Sequence, residues 1–308
     1  MIKLSILVIS KTSFLLDQMI SSLIDATQID RNNIEILCSW NGSIHDMKSI
    51  KNDSFKHFEI KHVLPYHFAS NMNNLIDRAK GEFILLINDD VYLDPSSIDN
   101  AIQFYKDNSH VGLIGGRLRD KSGYLMHSGL LFNILHLPYH FLEGLIRSDH
   151  AIAITNNYPI SAVTGALMLI SSEKISDVRF NNKYSICGED IELCLDIREK
   201  LNYDIFYCHK FSGIHESEST RRYFANQKSS LKDKILLAKR YRRFIWNSNI
   251  SNLINEYSFN KKILMLYFKL NINVFKTSKN TKWNLLIIIP LIYFKTLIII
   301  RKIFKMNS

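Results

Sequence analysis

The sequence predicts an α/β protein whose central sheet is mostly parallel. Short apolar runs alternate with segments in which apolar residues recur at helical spacing, and this alternation continues through the first hundred residues. Alternating strands and helices are typical of parallel sheets that are covered by helices. The chain has 308 residues, of which 46% are hydrophobic, and this composition is ample for a sizeable core.

Each predicted element in the first hundred residues has its own local signal. Apolar runs predict four strands, at residues 4–10, 34–40, 58–64 and 83–87. Helical spacing predicts helices at 14–25, 71–81 and 96–107. Gly81 stops the second of these helices, while Pro95 and Ser96 suit the first turn of the third. Ligands of such sheets bind beyond the carboxyl ends of the strands, so the residues that follow each strand are candidates for a site.

The second half of this region is less regular. Apolar runs predict short strands at 111–118, 123–132 and 161–171. A helix is predicted at 187–200, where the polar sequence Gly188-Glu189-Asp190 leads into a helical pattern.

The net charge of +10 is divided unevenly along the chain. Residues 1–225 carry 22 Lys and Arg against 27 Asp and Glu, whereas residues 226–308 carry 17 against 2. We therefore predict a globular domain at 1–225, followed by a basic, aromatic-rich helical tail at 226–308.

The tail has the composition of a segment that associates with membranes. Residues 231–246 form a basic amphipathic pattern, and residues 283–304 are strongly apolar. Pro290 and Lys295 interrupt this apolar stretch, whereas a spanning helix needs about 20 clean apolar residues. The pattern therefore predicts a tail that lies in the interface of an anionic membrane, where each Lys or Arg contributes about 1 kcal/mol.

The cysteines and the amino terminus indicate a reducing compartment. The four cysteines form no C-x-x-C pair and no framework of the secreted type, which favours free thiols. The apolar run at 4–10 is not followed by a small-residue cleavage site, so it is interpreted as a buried strand.

Four stretches carry residues suited to chemistry. Asn88, Asp89 and Asp90 end the buried strand at 83–87, and Glu189-Asp190 opens the later helix, where the helix dipole favours a carboxylate. The other two stretches are the polar helix at 68–83 and the segment 215–221. A carboxylate and an imidazole from distant segments are good ligands for Mg²⁺ or Mn²⁺. Taken singly, however, an Asp-Asp pair is more often a solvated acidic loop, and a lone His is more often structural.

The order of several motifs resembles the GT-A glycosyltransferases of family 2. The resemblance covers roughly residues 4–225 and is carried by the stretches 34–43, 68–91, 111–132, 163–170, 188–198 and 215–221. It implies a GT-A fold, Rossmann-like, of the nucleotide-diphospho-sugar transferase kind. The subgroup that this sequence resembles most includes bacterial enzymes that build O-antigens, capsules and other surface polysaccharides, rhamnosyltransferases among them.

The resemblance implies a catalytic set. Asp89 would face the nucleotide-sugar, and Asp90 would bind a divalent cation, Mn²⁺ or Mg²⁺, that bridges its diphosphate. His215 would complete the metal site. Asp190 would be the general base for the acceptor hydroxyl, with Glu189 supporting it or contacting the acceptor.

Eight residues, some in positions of the family pattern and some in departures from it, are expected to bind the donor. These are Ser10, Trp40, Asn41, Asn71, Asn73, Asp89, Asp90 and Arg221. Trp40 stands where the family has an Asp that contacts the nucleobase, so its ring either stacks on the base or is a buried or rim aromatic. Ser10 begins a Ser-Lys-Thr sequence in place of the family's P-x-Y-N. Arg221 either contacts phosphate or pairs with a neighbouring glutamate.

The function implied is an inverting transfer from a UDP- or dTDP-linked sugar to a glycan or lipid-linked acceptor. We expect the protein to be cytoplasmic and peripheral at the inner face of the plasma membrane, with no nucleic-acid partner. Two alternatives stay open. The basic tail also suits nucleic acid, although its long apolar runs argue against it. A non-catalytic glycosyltransferase-like scaffold is the other alternative, because the nucleobase Asp is replaced.

Overall fold

A ten-stranded sheet forms the centre of the protein. The computed structural model describes residues 1–51, 54–133, 135–216, 227–269 and 288–304. The strands are β1 Leu4–Ser10, β2 Ile34–Trp40, β3 His57–His62, β4 Phe83–Asn88, β5 Val91–Leu93, β6 Val111–Arg119, β7 Leu125–His127, β8 Leu130–Phe132, β9 Pro138–His140, β10 Tyr158–Ile160, β11 Leu167–Ser171 and β12 Asp204–His215. Strands β8 and β9 form a separate two-stranded sheet.

Helices flank the sheet and follow it in the chain. They are α1 Ser13–Ala26, α2 Ile44–Met47, α3 Phe68–Arg78, α4 Ser97–Asp107, α5 Ala151–Ile154, α6 Ser172–Ile175, α7 Glu189–Lys200, α8 Gln227–Asn247, α9 Ile250–Lys269 and α10 Ile288–Phe304. A short 3₁₀ helix, Arg31–Asn33, precedes β2.

The sheet has a parallel half and a mixed half. Its main path runs β10-β12-β6-β11-β4-β1-β2-β3. The neighbours β3, β2, β1 and β4 are all parallel, as the sequence predicts. Beyond them, β11 enters between β4 and β6 antiparallel to both, and β12 is parallel to β6. The α/β class is therefore confirmed, while the parallel arrangement is interrupted by the reversed strand β11.

The parallel half is buried on both faces. Successive side chains of a strand point to opposite faces, so Leu85 and Leu86 of β4 enter different apolar clusters. One cluster is closed by residues of α1 and α4, and the other by residues of α3 and α7. This double covering explains the near-continuous apolar runs of β1, β2 and β4, because parallel strands pack against helices on both sides.

The carboxyl ends of the parallel strands meet at one edge. The register pairs Ser10 of β1 with Trp40 of β2, and Ile9 of β1 with Asn88 of β4. The chain therefore brings the residues that follow these three strands to the same edge, where a ligand site is expected.

Helices α8 and α9 share the core of the sheet domain. Arg198 of α7 and Glu256 of α9 form a buried ion pair, with 2.6 Å between Nη1 and Oε1. The other carboxylate oxygen of Glu256 accepts hydrogen bonds from Ser161 and Tyr241, at 2.9 and 2.7 Å. Removing one partner of such a pair costs about 3–5 kcal/mol. Helices α8 and α9, which follow the predicted boundary at residue 226, therefore pack against the sheet domain through buried charged groups as well as apolar ones.

Helix α10 is tied to the end of α8. The guanidinium of Arg301 is buried and donates to the backbone carbonyls of Ile245, Trp246 and Ser248. Pro290 lies in the first turn of α10, where its missing N–H is tolerated. Among the residues that the structure describes, no helix is both long and apolar enough to cross a membrane.

Candidate functional site

A cavity of about 590 Å³ opens at the carboxyl edge of the parallel strands. It is lined by the residues that follow β1, β2 and β4, by the last residue of β12, by the segment before β11 and by the first residues of α7. Seven of the predicted site residues line it: Ser10, Asn41, Asp89, Asp90, Glu189, Asp190 and His215. Strand order and register therefore bring together residues that lie as far apart as 10 and 215 in the chain.

Asp89 is a buried carboxylate with one short hydroxyl contact. The parallel register of β1 and β4 places Ser10 beside it, and the Ser10 hydroxyl donates to Oδ2 at 2.7 Å. Burial raises the pKa of Asp89 to about 6, and the neighbouring charge of Asp90 acts in the same direction. The hydrogen bond from Ser10 and the nearby Lys11 oppose this shift without cancelling it. The anionic form of Asp89 is thus only partly compensated by the protein.

Asp90 and His215 converge without forming a hydrogen bond. The pairing of β12 with β5 aligns His215 with Val91, which places its imidazole next to Asp90. Nε2 of His215 lies 3.2 Å from Oδ1 of Asp90, yet this buried oxygen has no hydrogen-bond partner of acceptable geometry. An unsatisfied buried carboxylate oxygen is costly unless another group binds it.

This arrangement fits a divalent cation that is completed by a ligand. One carboxylate oxygen and one imidazole nitrogen are suitable first ligands for Mn²⁺ or Mg²⁺. Within the described ranges, no group of three or more His, Cys, Asp or Glu side chains forms a metal cluster. Magnesium sites in proteins usually keep several waters and substrate oxygens among their ligands, so two protein ligands are compatible with such a cation.

Asp190 is held by backbone amides at the start of α7. Its Oδ2 accepts a hydrogen bond from the N–H of Gly165 at 2.8 Å, and its Oδ1 accepts one from the N–H of Ile191 at 2.8 Å. A side chain at Gly165 would bring a Cβ within 3.2 Å of the Asp190 Cβ and 3.3 Å of the Phe68 ring, so glycine permits this close approach. The first turn of a helix also favours negative charge. The geometry therefore stabilises an ionised carboxylate that faces the cavity.

Trp40 is not a cavity residue. Its ring is fully buried, and its indole N–H donates to the carbonyl of Ser43 at 2.9 Å. The predicted stacking of Trp40 on a nucleobase is therefore wrong for this structure. The reason is the direction of the side chain at the end of β2, which turns into the apolar cluster covered by α1.

The two predicted asparagines of α3 support the site from outside the cavity. Asn71 is buried and donates to the side-chain oxygen of Asn41 at 3.3 Å, so it holds a residue that does line the cavity. Asn73 exchanges two hydrogen bonds of 2.9 Å with the backbone of Phe180. Neither side chain lines the cavity, which corrects the prediction of direct donor contacts. Arg221 lies outside the described residues.

A histidine pair in the cavity wall was not predicted. Nδ1 of His127 lies 3.0 Å from Nδ1 of His140, and the N–H of Thr164 donates to Nε2 of His127 at 3.3 Å. Burial lowers the pKa of His127 well below its usual value, with the neighbouring His140 and His215 adding to the effect. His127 is therefore neutral in the fold. In the sequence, His127 stands out only because it lies within the family motif at 111–132. Nothing in that motif indicates that His140, in the separate two-stranded sheet, is its neighbour.

Comparisons with known proteins show the family of this chain. A family model described as Glycosyl transferase family 2 matches residues 8–173, more than half of the chain. The chain belongs to glycosyltransferase family 2. The O-antigen biosynthesis protein RfbC of Myxococcus xanthus is 26% identical over 165 residues, which are 51% of this chain and 13% of RfbC. This chain thus spans only a small part of the curated relatives that it matches.

Solved structures of glycosyltransferases share the fold. TarS 1–349 of S. aureus in complex with UDP-GlcNAc has a TM-score of 0.56 at 14% identity, covering 90% of this chain and 76% of that one. The mannosyltransferase PcManGT from Pyrobaculum calidifontis, in complex with GDP-Man and Mn²⁺, has a TM-score of 0.55 at 11% identity. That match covers 95% of this family 2 chain and 86% of PcManGT. The predicted family and the GT-A fold are confirmed.

Proposed function

We propose that this family 2 glycosyltransferase is an inverting enzyme that moves a sugar from a UDP- or dTDP-linked donor to a hydroxyl of a glycan or lipid-linked acceptor. The observation that carries the proposal is one cavity with two carboxylate systems. Asp89, Asp90 and His215 line one part of it, and Glu189 and Asp190 line another. A biosynthetic role in bacterial surface polysaccharide is supported by the similarity to RfbC.

Asp190 has the position and charge of a general base. In the proposed step its carboxylate takes the proton of the acceptor hydroxyl while the acceptor oxygen bonds to the anomeric carbon. The bond from that carbon to the diphosphate oxygen breaks at the same time, and the nucleoside diphosphate leaves with the electron pair. A well-placed base typically contributes about 10²- to 10⁴-fold in rate. One base with no covalent nucleophile leads to inversion at the anomeric carbon.

Asp90 and His215 are the proposed ligands of a divalent cation that acts with the donor. The cation would supply Lewis-acid stabilisation to the departing diphosphate, which contributes several kcal/mol. Asp89, held by Ser10, would face the nucleotide-sugar beside this site. The complex of PcManGT with GDP-Man and Mn²⁺ supports the pairing of such a fold with a cation and a nucleotide sugar.

The outer faces of α8 and α10 support a peripheral position on the inner face of the plasma membrane. On α8, the exposed residues Leu231, Ile235, Arg242 and Trp246 recur at spacings that place them along one side of the helix. On α10, exposed isoleucines have the same arrangement, at positions 292, 299 and 303. The contact of Arg301 with the Trp246 carbonyl joins the ends of these two stripes. Apolar side chains flanked by Lys and Arg suit an anionic lipid surface.

A thermal-shift panel tests the proposed reaction. Purified full-length protein would be mixed with UDP-, dTDP- and GDP-linked sugars, each with Mn²⁺ and with EDTA. A donor present at 100 times its Kd stabilises the fold by about 2.7 kcal/mol, so a matching donor stands out. We expect a Mn²⁺-dependent shift with a UDP- or dTDP-linked sugar, followed by transfer in a product assay. No shift with any donor on a folded sample would favour the non-catalytic scaffold.

Sedimentation with vesicles tests the membrane surface. We expect binding to vesicles that contain phosphatidylglycerol, weakening with added salt, and little binding to pure phosphatidylcholine vesicles. The double variant Trp246→Ser, Ile303→Ser should lose this binding and keep its thermal stability, because both side chains are 67% exposed. Salt-dependent retention on DNA without vesicle binding would instead revive the nucleic-acid alternative.

A further inference from the structure

A carboxylate of α8 holds the loop that precedes the proposed base. Asp233 is buried, with 1% of its surface exposed. It accepts hydrogen bonds from three consecutive backbone amides, those of Ser185, Ile186 and Cys187. The shortest is the bond from Ile186 to Oδ2, at 2.7 Å, and the others measure 3.1–3.2 Å. Hydrogen bonds to an ionised acceptor are roughly twice as strong as neutral ones, so this loop is anchored at one point.

The anchored loop forms part of the cavity wall. Ser185 and Ile186 line the cavity together with Glu189 and Asp190, which follow within a few residues. A single residue, Gly188, joins the loop to the first residue of α7. Gly188 has a φ of +111°, and a Cβ there would lie 2.8 Å from the ring of Tyr184. The position of the loop therefore determines where α7, and with it the carboxylate of Asp190, begins.

Asp233 reaches the loop from a helix that is docked by other contacts. Arg240 of α8 pairs with Asp196 and Glu199 of α7, at 2.7 and 2.6 Å. These bonds lie about two turns along α8 from Asp233 and reach the second half of α7, while Nε of Arg240 also lies 3.8 Å from Oε1 of Glu192 in the first turn of α7. The attachment of α8 to the body and its hold on the loop thus use different side chains.

We propose that Asp233 is a positioning residue of the transferase, which fixes the 185–187 loop so that Asp190 is aimed at the acceptor. The inference rests on the proposed function, because it assigns to α8 a part in the same reaction. Asp233 touches neither reactant in this assignment. It acts through the three backbone amides, which would otherwise need water or another acceptor. Helix α8 then contributes to the transfer reaction by positioning the loop, in addition to stabilising the fold.

Two variants of Asp233 and one control test this role in the full-length chain. Asp233→Ala removes every acceptor, whereas Asp233→Asn keeps the volume and one oxygen but loses the charge. Asp196→Asn is the control, since it weakens the contact between α7 and α8 without touching the loop. We expect the Asp233→Ala variant to lose about 10- to 100-fold in single-turnover transfer, the range produced by misplacement of a catalytic group. The Asn variant should fall between it and wild type.

Three further readouts separate positioning from stability and from the proposed function. Calorimetric donor affinity with Mn²⁺ should stay close to wild type in the Asp233 variants, so the loss appears in the transfer step. Hydrogen exchange at amides 185–187 should accelerate in those variants and not in Asp196→Asn. Melting temperature should fall in all three.

The outcomes that overturn the inference are distinct. Faster exchange with an unchanged transfer rate would show that the loop need not be fixed for catalysis. Unchanged exchange in Asp233→Asn and Asp233→Ala would show that Asp233 does not hold the loop. A loss of transfer in Asp196→Asn equal to that in Asp233→Ala would reduce the effect to general destabilisation. If wild-type protein binds no nucleotide sugar, the proposed function fails by itself, and the role of Asp233 in catalysis fails with it.

Discussion

The strand-end carboxylates of Asp89 and Asp90 line the same cavity as the helix-start carboxylate of Asp190, and the protein surrounds them in opposite ways. Asp89 and Asp90 follow a buried strand, where burial raises the pKa of Asp89 to about 6 and leaves one oxygen of Asp90 without a hydrogen bond. Asp190 begins a helix and receives two backbone N–H groups at 2.8 Å. The protein thus supplies two backbone donors to Asp190, whereas one buried oxygen of Asp90 has no hydrogen-bond donor among the described residues. The first arrangement suits a base, and the second suits a cation with its ligand.

Replacing Asp190 should have the largest effect in this comparison. Asp190→Asn keeps the shape of the side chain but cannot accept a proton, so transfer should fall by about 10²- to 10⁴-fold. Donor affinity should be nearly unchanged. Product formation and calorimetry would measure the two quantities, with Glu199→Gln as a control on the same helix away from the cavity. A transfer rate close to that of wild type would remove Asp190 from the role of base.

Replacing Asp90 should lower the affinity for the donor rather than the rate of the transfer step alone. In Asp90→Asn, the amide oxygen is a weaker ligand than the carboxylate, so Mn²⁺-dependent stabilisation by the donor should decline by at least about 10-fold in affinity. Thermal shifts with Mn²⁺ and with EDTA would show it. Asp107→Asn, on the exposed side of α4, is the matched control. If Asp90→Asn kept full Mn²⁺ dependence, the cation would have to bind elsewhere.

Adding a methyl group at Gly165, next to Asp190, should reduce the transfer rate by less than the two substitutions above. In Gly165→Ala, the added Cβ lies 3.2 Å from the Asp190 Cβ, so the neighbours must shift by a few tenths of an ångström. Because misplacement by 1 Å can cost about 100-fold, we expect a loss of roughly 10-fold in transfer. In an Asp190→Asn background the same change should have no further effect on the residual rate. Additive losses in the double variant would show that Gly165 acts independently of Asp190.

Removing the hydroxyl beside Asp89 should have the smallest effect. Ser10→Ala deletes the 2.7 Å hydrogen bond that lowers the pKa of Asp89, so this pKa rises further from about 6. Cation-dependent donor affinity should fall by less than about 10-fold, since one net hydrogen bond contributes about 1 kcal/mol. The deficit should grow as the pH is lowered from 8 to 6, because the anionic fraction of Asp89 declines. Titrations at several pH values would check this, and a deficit that shrinks at lower pH would contradict it.

The strands, and the positions of the carboxylates at the ends of elements, could be predicted from the sequence because both depend on residues that are neighbours in the chain. An apolar run that stops on Asn88-Asp89-Asp90 identifies a buried strand and the residues at its end. The parallel register then places these residues beside the end of β1. The same reasoning placed Glu189 and Asp190 at a helix start, where the structure has them.

The predictions that failed depend on the direction of a side chain or on distant partners. Trp40 ends a strand buried along its whole length, and sequence order does not tell whether its ring turns to the edge or into the core. The backbone partner of Asn73 is 107 residues away. The strong positive charge of the last 83 residues hid the buried faces of α8 and α9, because a sum over a segment does not show which side of a helix each charge is on. The role of Asp233 could not be predicted for the same reason, because it lies between Lys232 and Lys234 in the sequence.

The buried pair of Arg198 and Glu256 has a consequence for how the molecule is made. The two residues are 58 positions apart, so the ribosome needs roughly 3–12 s to pass from one to the other. During that interval strand β12 and helix α8 are synthesised, while the guanidinium of Arg198 must stay in water or find a temporary acceptor. The buried pair therefore forms only after α9 has been made, and translation that stops before residue 256 leaves a charge in the core without its counter-ion.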